Sequence, residues 1–352
     1  ENIFLVRDEE AQNKEYHYLY LYIDPTAPAQ VIKINGWVIN GKIKNSISIA
    51  YEFKHRRKNL HEFIGLNQRD LIYLVTPDRF VNGEKDNDII ESLREKAINR
   101  NNGASRHGGD LQGLTNQLDY IKSLGVTAVW TNPILINDMP VYSYHGYAIT
   151  DHYKVDPRFG GMKAYKKYSR ELHKRKMKLV MDIIPNHMGT YNRLFQNPPD
   201  SNWINSWPNN SDLDKDGHVA DAIITNHRYA SIYDPYAAQS DKVVLTDGWF
   251  VPSMVDINQR DIHFSNYLIQ NSLWWIEEVG IDAFRTDTWV YPDPGFLDKW
   301  SKTVHKVYPR FTIFSEAWVT QREAQAFYSN RYNYLDAAAD FPMYYAFREA
   351  LE

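Results

Sequence analysis

Three acidic residues, Asp182, Asp287 and Glu316, each lie at or near the end of an apolar segment of this 352-residue chain. A lone aspartate at such a place is as readily a helix cap, but three in equivalent places are hard to explain in that way. Sugar hydrolysis needs two carboxylates that face each other across a glycosidic bond. One attacks or stabilises the anomeric carbon while the other protonates the leaving oxygen. The spacing therefore predicts Asp287 and Glu316 as a catalytic pair.

The neighbours of the two predicted catalytic carboxylates favour different protonation states. Arg285 lies two residues before Asp287 and so on the same side of a strand. Its fixed positive charge would keep Asp287 ionised and therefore nucleophilic. Burial of Glu316 beside a second carboxylate would raise its pKa, so that it stays protonated and can act as the acid.

The elements that carry these residues alternate between apolar strands and amphipathic helices. We predict strands at 71–76, 126–132, 179–184, 281–287, 311–316 and 336–341, and helices at 114–124, 162–177 and 265–279. Repeated units of this kind predict an α/β fold with a parallel sheet, either open or closed into a barrel. In a barrel, functional side chains come from the carboxyl ends of the strands, where the three acidic residues are found.

Two regions depart from this alternation. Residues 16–56 show short, alternating β-like segments, which predict part of a small β-sandwich module within residues 1–66. The catalytic barrel is then expected at 67–352. Residues 188–250 are rich in Pro, Asn, Asp and Trp and are too long for an ordinary loop. We predict that they form an inserted subdomain.

The composition excludes several classes of partner and site. Lys and Arg number 40 against 44 Asp and Glu, which makes nucleic acid an unexpected partner. The apolar stretches are strand-sized, so no membrane span is expected. The chain has no cysteine, which excludes disulfides and zinc–thiolate sites.

Five segments, taken in order, resemble the signature regions of the α-amylase superfamily, glycoside hydrolase family thirteen. They are Tyr144–Tyr147 with Asp151 and 155–160, Asp182–His187, Met254–Asn258, Gly280–Asp287 and Glu316–Trp318. Within the superfamily the chain looks most like the neopullulanase and cyclomaltodextrinase branch of Bacteroidetes starch-utilisation systems, on the evidence of Asp138–Pro140, Met254–Asn258 and the N-terminal module. Val255 departs from that branch, which usually has proline there.

The resemblance implies a TIM-type (β/α)8 barrel and retaining hydrolysis of α-1,4-glucosidic bonds in maltooligosaccharides, cyclodextrins or pullulan, with transglycosylation as a further activity. By motif, Asp287 resembles the nucleophile, Glu316 the acid/base and Arg285 the residue that orients the nucleophile. Three more residues, His145, Tyr147 and His187, resemble groups that line the glucose subsite, with Tyr147 as its stacking platform. Asp182 is expected at the same substrate-binding site, ranked below the others and more as a structural residue at the rim than as a catalytic one. Without the motifs, His145 would be interpreted as a loop histidine and His187 as an ordinary cap.

A second resemblance concerns a metal. The loop after the first barrel strand resembles the structural calcium site of this branch, with a set of oxygen ligands that suits this cation. The implied ligands are Asn82, Glu84, Asn87, Asp88, the Gly108 carbonyl and Asp110. The family usually has aspartate where this chain has Glu84. The alternative interpretation is a solvated acidic turn.

The superfamily's seventh strand carries a further His-Asp pair, and no histidine follows Glu316 in this sequence. We therefore expect the barrel to be incomplete in this chain, with six strands, and the biological protein to be longer. The resemblance also implies a periplasmic or secreted location and leaves a homodimer open. Two other functions remain as alternatives: a non-catalytic amylase-like protein that binds glucan or a partner, and, more remotely, a sugar phosphorylase or isomerase.

Overall fold

The computed structural model describes residues 2–40, 43–57, 63–208, 212–222, 224, 230–234, 236–329 and 335–352. The chain divides into two compact units, Glu1–Leu60 and His61–Glu352. Residues 63–66, which we assigned to the N-terminal module, belong to the second unit by their contacts. For example, the Gly65 amide donates to the Arg310 carbonyl over 2.8 Å. No helix in the described part of the chain is long and apolar enough to cross a membrane.

The first unit consists of two antiparallel hairpins. Strand β1 (Ile3–Glu10) pairs with β2 (His17–Ile23), and β3 (Gln30–Asn40) pairs with β4 (Ile43–Phe53). An Asp24 carboxylate that accepts the Thr26 amide over 2.7 Å stabilises the turn that follows β2. The β character predicted for this region is present as two separate two-stranded sheets, and the sandwich itself stays a prediction.

The second unit contains the remaining strands. They are β5 (Ile72–Val75), β6 (Ala128–Thr131), β7 (Leu135–Ile136), β8 (Asp151–Val155), β9 (Lys178–Ile183), β10 (His187–Gly189), β11 (Met254–Asp256), β12 (Ala283–Thr286), β13 (Thr312–Ser315) and β14 (Ala337–Ala338). Six of them form one parallel sheet in the order β5-β6-β9-β12-β13-β14. Each of the six predicted strand segments contributes to this sheet, but 336–341 contributes only Ala337–Ala338, because a helix already begins at Phe341. The fold class is therefore confirmed as a parallel β/α half-barrel, which corresponds to a TIM barrel that is incomplete in this chain.

Helices connect the strands of this sheet. They are α1 (Leu111–Asn116), α2 (Leu118–Ser123), α3 (Gly161–Lys174), α4 (Arg193–Gln196), α5 (Ala230–Tyr233), α6 (Gln239–Asp247), α7 (Ile262–Trp275), α8 (Pro294–Val307), α9 (Arg322–Tyr328) and α10 (Phe341–Leu351). The predicted helix 114–124 is instead two short helices, and the first starts early because the Asp110 carboxylate caps it by accepting the Gly113 amide over 2.6 Å. Helix α7 continues as one π-helical turn, Ile276–Gly280, which covers the rest of the helix predicted at 265–279.

The register of the sheet aligns side chains in its concave interior. One buried apolar layer is formed by Ala128, Val180, Ala283 and Phe314. Two residues further along three of these strands, the same alternation places Trp130, Asp182 and Arg285 on the same face. The apolar layer therefore supports a polar layer at the carboxyl end of the sheet.

The segment between β9 and β12 contains the predicted insertion. Strands β10 and β11 pair antiparallel, with His187 opposite Asp256, and so close this segment at its base. Within it, α4, α5 and α6 are short. Two tryptophans, Trp203 and Trp249, are buried in it. Trp203 stacks on Phe264 of α7 at 4.4 Å between ring centroids and so holds the insertion to the rest of the unit, whereas Trp249 packs against Phe195 within the insertion.

Candidate active site

The two predicted catalytic carboxylates follow neighbouring strands in register. Thr286, the last residue of β12, lies opposite Ser315, the last residue of β13, so Asp287 and Glu316 emerge side by side. Their backbones extend the ladder, since the Asp287 amide donates to the Ile183 carbonyl over 2.9 Å and the Glu316 amide to the Thr286 carbonyl over 2.8 Å. Both side chains therefore start from rigid, hydrogen-bonded backbone.

One guanidinium joins all three acidic residues. Nη1 of Arg285 contacts both oxygens of Asp182, over 2.8 and 3.0 Å, and Oδ1 of Asp287 over 2.6 Å. Nη2 of the same group lies 2.9 Å from Oε1 of Glu316. Because Asp287 and Glu316 bind the two ends of one planar group, their carboxylates lie in the same cavity and close together.

The environment of Glu316 favours its protonated form. Burial, followed by the negative charge of Asp287, raises the pKa of Glu316 to about 7, against the opposing effect of Arg285. The Thr288 amide donates to Oε2 of Glu316 over 3.1 Å and fixes its orientation. Glu316 can thus hold a proton near neutral pH beside a carboxylate paired with arginine.

Asp182 lies beneath this pair. Besides the two contacts from Arg285, it accepts the Trp130 indole N–H over 2.9 Å and the Tyr147 hydroxyl over 3.2 Å. Burial raises the pKa of Asp182, and Arg285 opposes that rise. Burial lowers the pKa of Arg285, but the surrounding carboxylates outweigh it, and the net pKa is raised. Asp182 therefore anchors Arg285 from below.

Two histidines and a tyrosine form the opposite side of the site. The rings of His145 and Tyr147 stack with centroids 5.8 Å apart, and Nδ1 of His145 accepts the Tyr147 amide over 2.9 Å. His187 stacks on Phe250 at 5.7 Å with nearly parallel planes. Burial lowers the pKa of His145 to about 4 and also lowers that of His187. Both imidazoles are therefore neutral near pH 7 and can exchange hydrogen bonds with hydroxyl groups.

These side chains enclose a cavity of about 450 Å³. It is lined by His145, Tyr147, His187, Phe250, Met254, Arg285, Asp287, Thr288, Val290, Tyr291, Glu316 and Trp318. Aromatic walls around a few charged and polar groups suit a pyranose ring, whose faces are apolar and whose edge carries hydroxyls.

A family model for the α-amylase catalytic domain matches residues 74–352 of the chain. The chain belongs to the α-amylase family. The family expected from the motifs is therefore confirmed.

Several α-amylase relatives match over most of this chain. A cyclomaltodextrinase of Thermoanaerobacter pseudethanolicus is 29% identical across 70% of the chain and 39% of its own length. Neopullulanase 2 of Thermoactinomyces vulgaris is 25% identical across 88% of the chain and 48% of its own length. Among solved structures, an Anoxybacillus α-amylase matches with a TM-score of 0.64 and 32% identity, over 79% of this chain and 53% of that one. The chain spans less than half the length of the curated relatives it matches.

The structure of this α-amylase family member brings most predicted site residues together. His145, Tyr147, His187, Arg285, Asp287 and Glu316 all line the cavity. Asp182 does not; it is buried behind Arg285, at 2% exposure.

Other residues of the site were not predicted from the sequence. Trp130 donates to Asp182, and its ring lies 4.9 Å from the Arg285 guanidinium carbon. Trp130 could have been predicted from the sequence, because it lies on the inward-facing side of a predicted strand. Phe250 comes from the insertion, where no periodic pattern predicted a contact with His187.

Two carboxylates, those of Asp88 and Asp110, hold together the loop that carries the predicted calcium ligands. Asp110 accepts the amides of Gly83, Glu84 and Gly113, and Asp88 accepts the Asn82 side-chain amide over 2.7 Å. The side-chain oxygens of Asn82 and Asn87 are buried without a hydrogen-bond partner. In the part of the chain that the structure describes, no three His, Asp or Glu side chains converge as metal ligands. The loop therefore offers the amide oxygens of Asn82 and Asn87 together with the carboxylates of Asp88 and Asp110.

Proposed function

We propose that this protein hydrolyses α-1,4-glucosidic bonds with retention of anomeric configuration, using Asp287 as nucleophile and Glu316 as acid/base. The observation that carries the proposal is the shared contact of both carboxylates with Arg285, over 2.6 and 2.9 Å, at the floor of an aromatic cavity. Retaining glycosidases need their two carboxyl groups close enough for direct attack, without an intervening water. Two carboxylates on one guanidinium meet that need.

The first step forms a covalent intermediate. Glu316 donates its proton to the glycosidic oxygen, and the C1–O bond breaks as Oδ of Asp287 bonds to C1. The leaving chain departs with a free hydroxyl, and Glu316 is left as a carboxylate. Arg285 holds the attacking carboxylate in place without taking part in proton transfer, because arginine stays protonated at any pH at which the protein is folded.

The second step reverses these roles. Glu316, now ionised, takes a proton from water while the water oxygen attacks C1, and the bond to Asp287 breaks. A sugar hydroxyl in place of water would give transglycosylation. Both steps need Glu316 to change protonation near neutral pH, which agrees with a pKa of about 7.

The cavity walls supply recognition. We assign ring stacking to Tyr147, and hydrogen bonds to sugar hydroxyls to the neutral imidazoles of His145 and His187. Trp318 is about half exposed at the cavity and offers a face to the leaving part of the substrate. The names of the relatives, a cyclomaltodextrinase and a neopullulanase, support cyclodextrins and pullulan as substrates, and we propose maltooligosaccharides beside them. A periplasmic or secreted location and a homodimer stay predictions.

The test is a product analysis with matched variants. We expect the protein to release products of α configuration from maltoheptaose. NMR spectra recorded before mutarotation would identify that configuration. Asp287→Asn and Glu316→Gln should each lower turnover by at least about 10³-fold, because each removes one reacting group. Products of β configuration, or unchanged turnover in Asp287→Asn, would reject the assignment. A glucan-binding protein without catalysis would show saturable binding with no products from the unmodified chain.

We also propose that the loop at residues 82–110 binds a structural calcium ion. The unpartnered oxygens of Asn82 and Asn87 are hard donors of the kind that calcium prefers. Calcium would link the start of α1 to the loop after β5 through Asp110. We expect added calcium to raise the melting temperature after chelation, and Asn87→Leu to remove that increase. A melting temperature indifferent to calcium in the unmodified protein would support the acidic-turn interpretation.

A further inference from the structure

We propose that Arg158 is a positioning residue for the glucose subsite, because it fixes the loop that carries His145 and Tyr147. The inference rests on the function proposed above. The loop runs from Asn137 to Thr150, between β7 and β8, and Arg158 lies just beyond β8. Arg158 is thus outside the cavity and can act on the substrate only through this loop.

Every N–H of the Arg158 guanidinium has an acceptor. Nε and Nη2 bind the two oxygens of Asp156 over 2.9 and 2.6 Å. Nη2 also binds the Asn137 carbonyl over 2.8 Å. Nη1 binds the Ser143 hydroxyl over 3.0 Å and the Glu95 carbonyl over 3.3 Å. Five donors therefore meet five acceptors in a group that is only 2% exposed.

Two of these contacts hold both arms of the loop. Asn137 lies on the outgoing arm, and Ser143 lies two residues before His145 on the returning arm. Glu95 adds a second hold on the returning arm, since its carboxylate accepts the Ser143 amide over 2.7 Å. Asn137 and Ser143 are both at least 98% buried. The distance between the two arms is therefore set by one rigid, planar group.

The backbone between Ser143 and Tyr147 has little freedom to absorb a shift. Tyr142 has φ +59° and Gly146 has φ +84°, both in the left-handed region. A Cβ on Gly146 would lie 2.0 Å from the Pro133 carbonyl oxygen, so this turn packs directly against backbone. A displacement of Ser143 must consequently reach His145 and Tyr147. Those two rings define one wall of the cavity.

Lysine cannot replace Arg158 in this role. Its ammonium has three donors and no planar fork, so it can neutralise Asp156 but cannot also hold Asn137 and Ser143. Arg158→Lys thus keeps the buried charge and removes the link between the arms. Arg175→Lys is the matched control, because Arg175 also binds carboxylates, Asp119 and Glu171, but on the exposed ends of α2 and α3.

The experiment measures kcat and KM on maltoheptaose across pH. We expect Arg158→Lys to lower kcat/KM by about 10- to 100-fold, the loss that an ångström-scale misplacement produces. The alkaline limb of the pH profile should stay in place, because Arg158 does not contact Glu316. Arg175→Lys should retain the kcat/KM of the unmodified enzyme.

A double-mutant cycle separates positioning from general damage. In a His145→Ala, Tyr147→Ala background, adding Arg158→Lys should cost less than about threefold, because the rings it positions are absent. An equal fold-loss in both backgrounds, or a shifted alkaline limb, would overturn the inference. If Arg158→Lys does not fold, Ser143→Ala replaces it in the experiment. Ser143→Ala must then lower kcat/KM at least threefold in the otherwise unmodified enzyme, and not in the His145→Ala, Tyr147→Ala background. If the unmodified enzyme shows no glucan turnover, the proposed function is refuted and not the role of Arg158.

Discussion

Replacing Arg285 with methionine tests the electrostatics of the site most sharply. Arg285 is 4% exposed and its guanidinium contacts three carboxylates, so its removal leaves Asp182 and Asp287 buried without their shared cation. Removing one partner of a buried ion pair costs about 3–5 kcal/mol. We expect Arg285→Met to lower the free energy of unfolding by about that amount, measured by urea denaturation at pH 7.

The same variant should move the pH profile in a defined direction. Arg285 lowers the pKa of Glu316, which burial and Asp287 raise. Without Arg285 that pKa rises further, so the alkaline limb of kcat/KM should move to higher pH while its maximum falls. Arg175→Met is the control; it should change stability far less, because its partner Asp119 is exposed to solvent. A loss below about 1 kcal/mol, or a limb that moves to lower pH, would refute the proposed electrostatics.

Three further predictions concern protonation and backbone strain. In the unmodified enzyme, kcat/KM should fall as pH rises through about 7, because Glu316 then loses its proton, and Glu316→Gln should show no such limb. The hydrogen bond to Asp336 raises the pKa of His305 above 6.5, so His305 stabilises the fold at lower pH and this contribution disappears as pH rises through the folded-state pKa. Accordingly, His305→Gln should lower the melting temperature more at pH 5.5 than at pH 9, and the reverse order would contradict a stabilising protonated His305. Gly146→Ala should lower the free energy of unfolding by roughly 3 kcal/mol or more. Gly125 has the same positive φ but open space around it, so Gly125→Ala should cost only about 1–2 kcal/mol. Equal losses in the two variants would count against the predicted clash between a Cβ on Gly146 and the Pro133 carbonyl.

The sequence was sufficient to predict the strands and the catalytic pair because both depend on local patterns. Buried parallel strands are nearly continuous apolar runs, and residues at their carboxyl ends share one rim. Arg285 and Asp287 could be assigned to one face from the period of two alone. The burial of Asp182 could not be predicted in this way, because alternation along a strand gives the direction of a side chain but not the residues that cover it.

The rest depended on contacts between distant parts of the chain. Phe250 reaches His187 from an insertion without periodicity, and Arg158 meets Glu95 across 63 residues. The early start of α1 follows from the Asp110 cap, whereas the resemblance implies only a calcium ligand at this residue. Sequence patterns therefore located the chemistry, whereas the supporting contacts required the fold.

If Asp287 is the nucleophile, it becomes covalently bonded to the sugar. The most direct measurement is to incubate the enzyme with 5-fluoro-α-D-glucosyl fluoride, whose intermediate turns over slowly, and to locate the added mass by peptide mapping. We predict a fluoroglucosyl ester on Asp287. Glu316→Gln should slow the formation of this ester only for substrates whose leaving group needs a proton. Label on any other residue, or a fully active enzyme that is never labelled, would show that Asp287 is not the nucleophile.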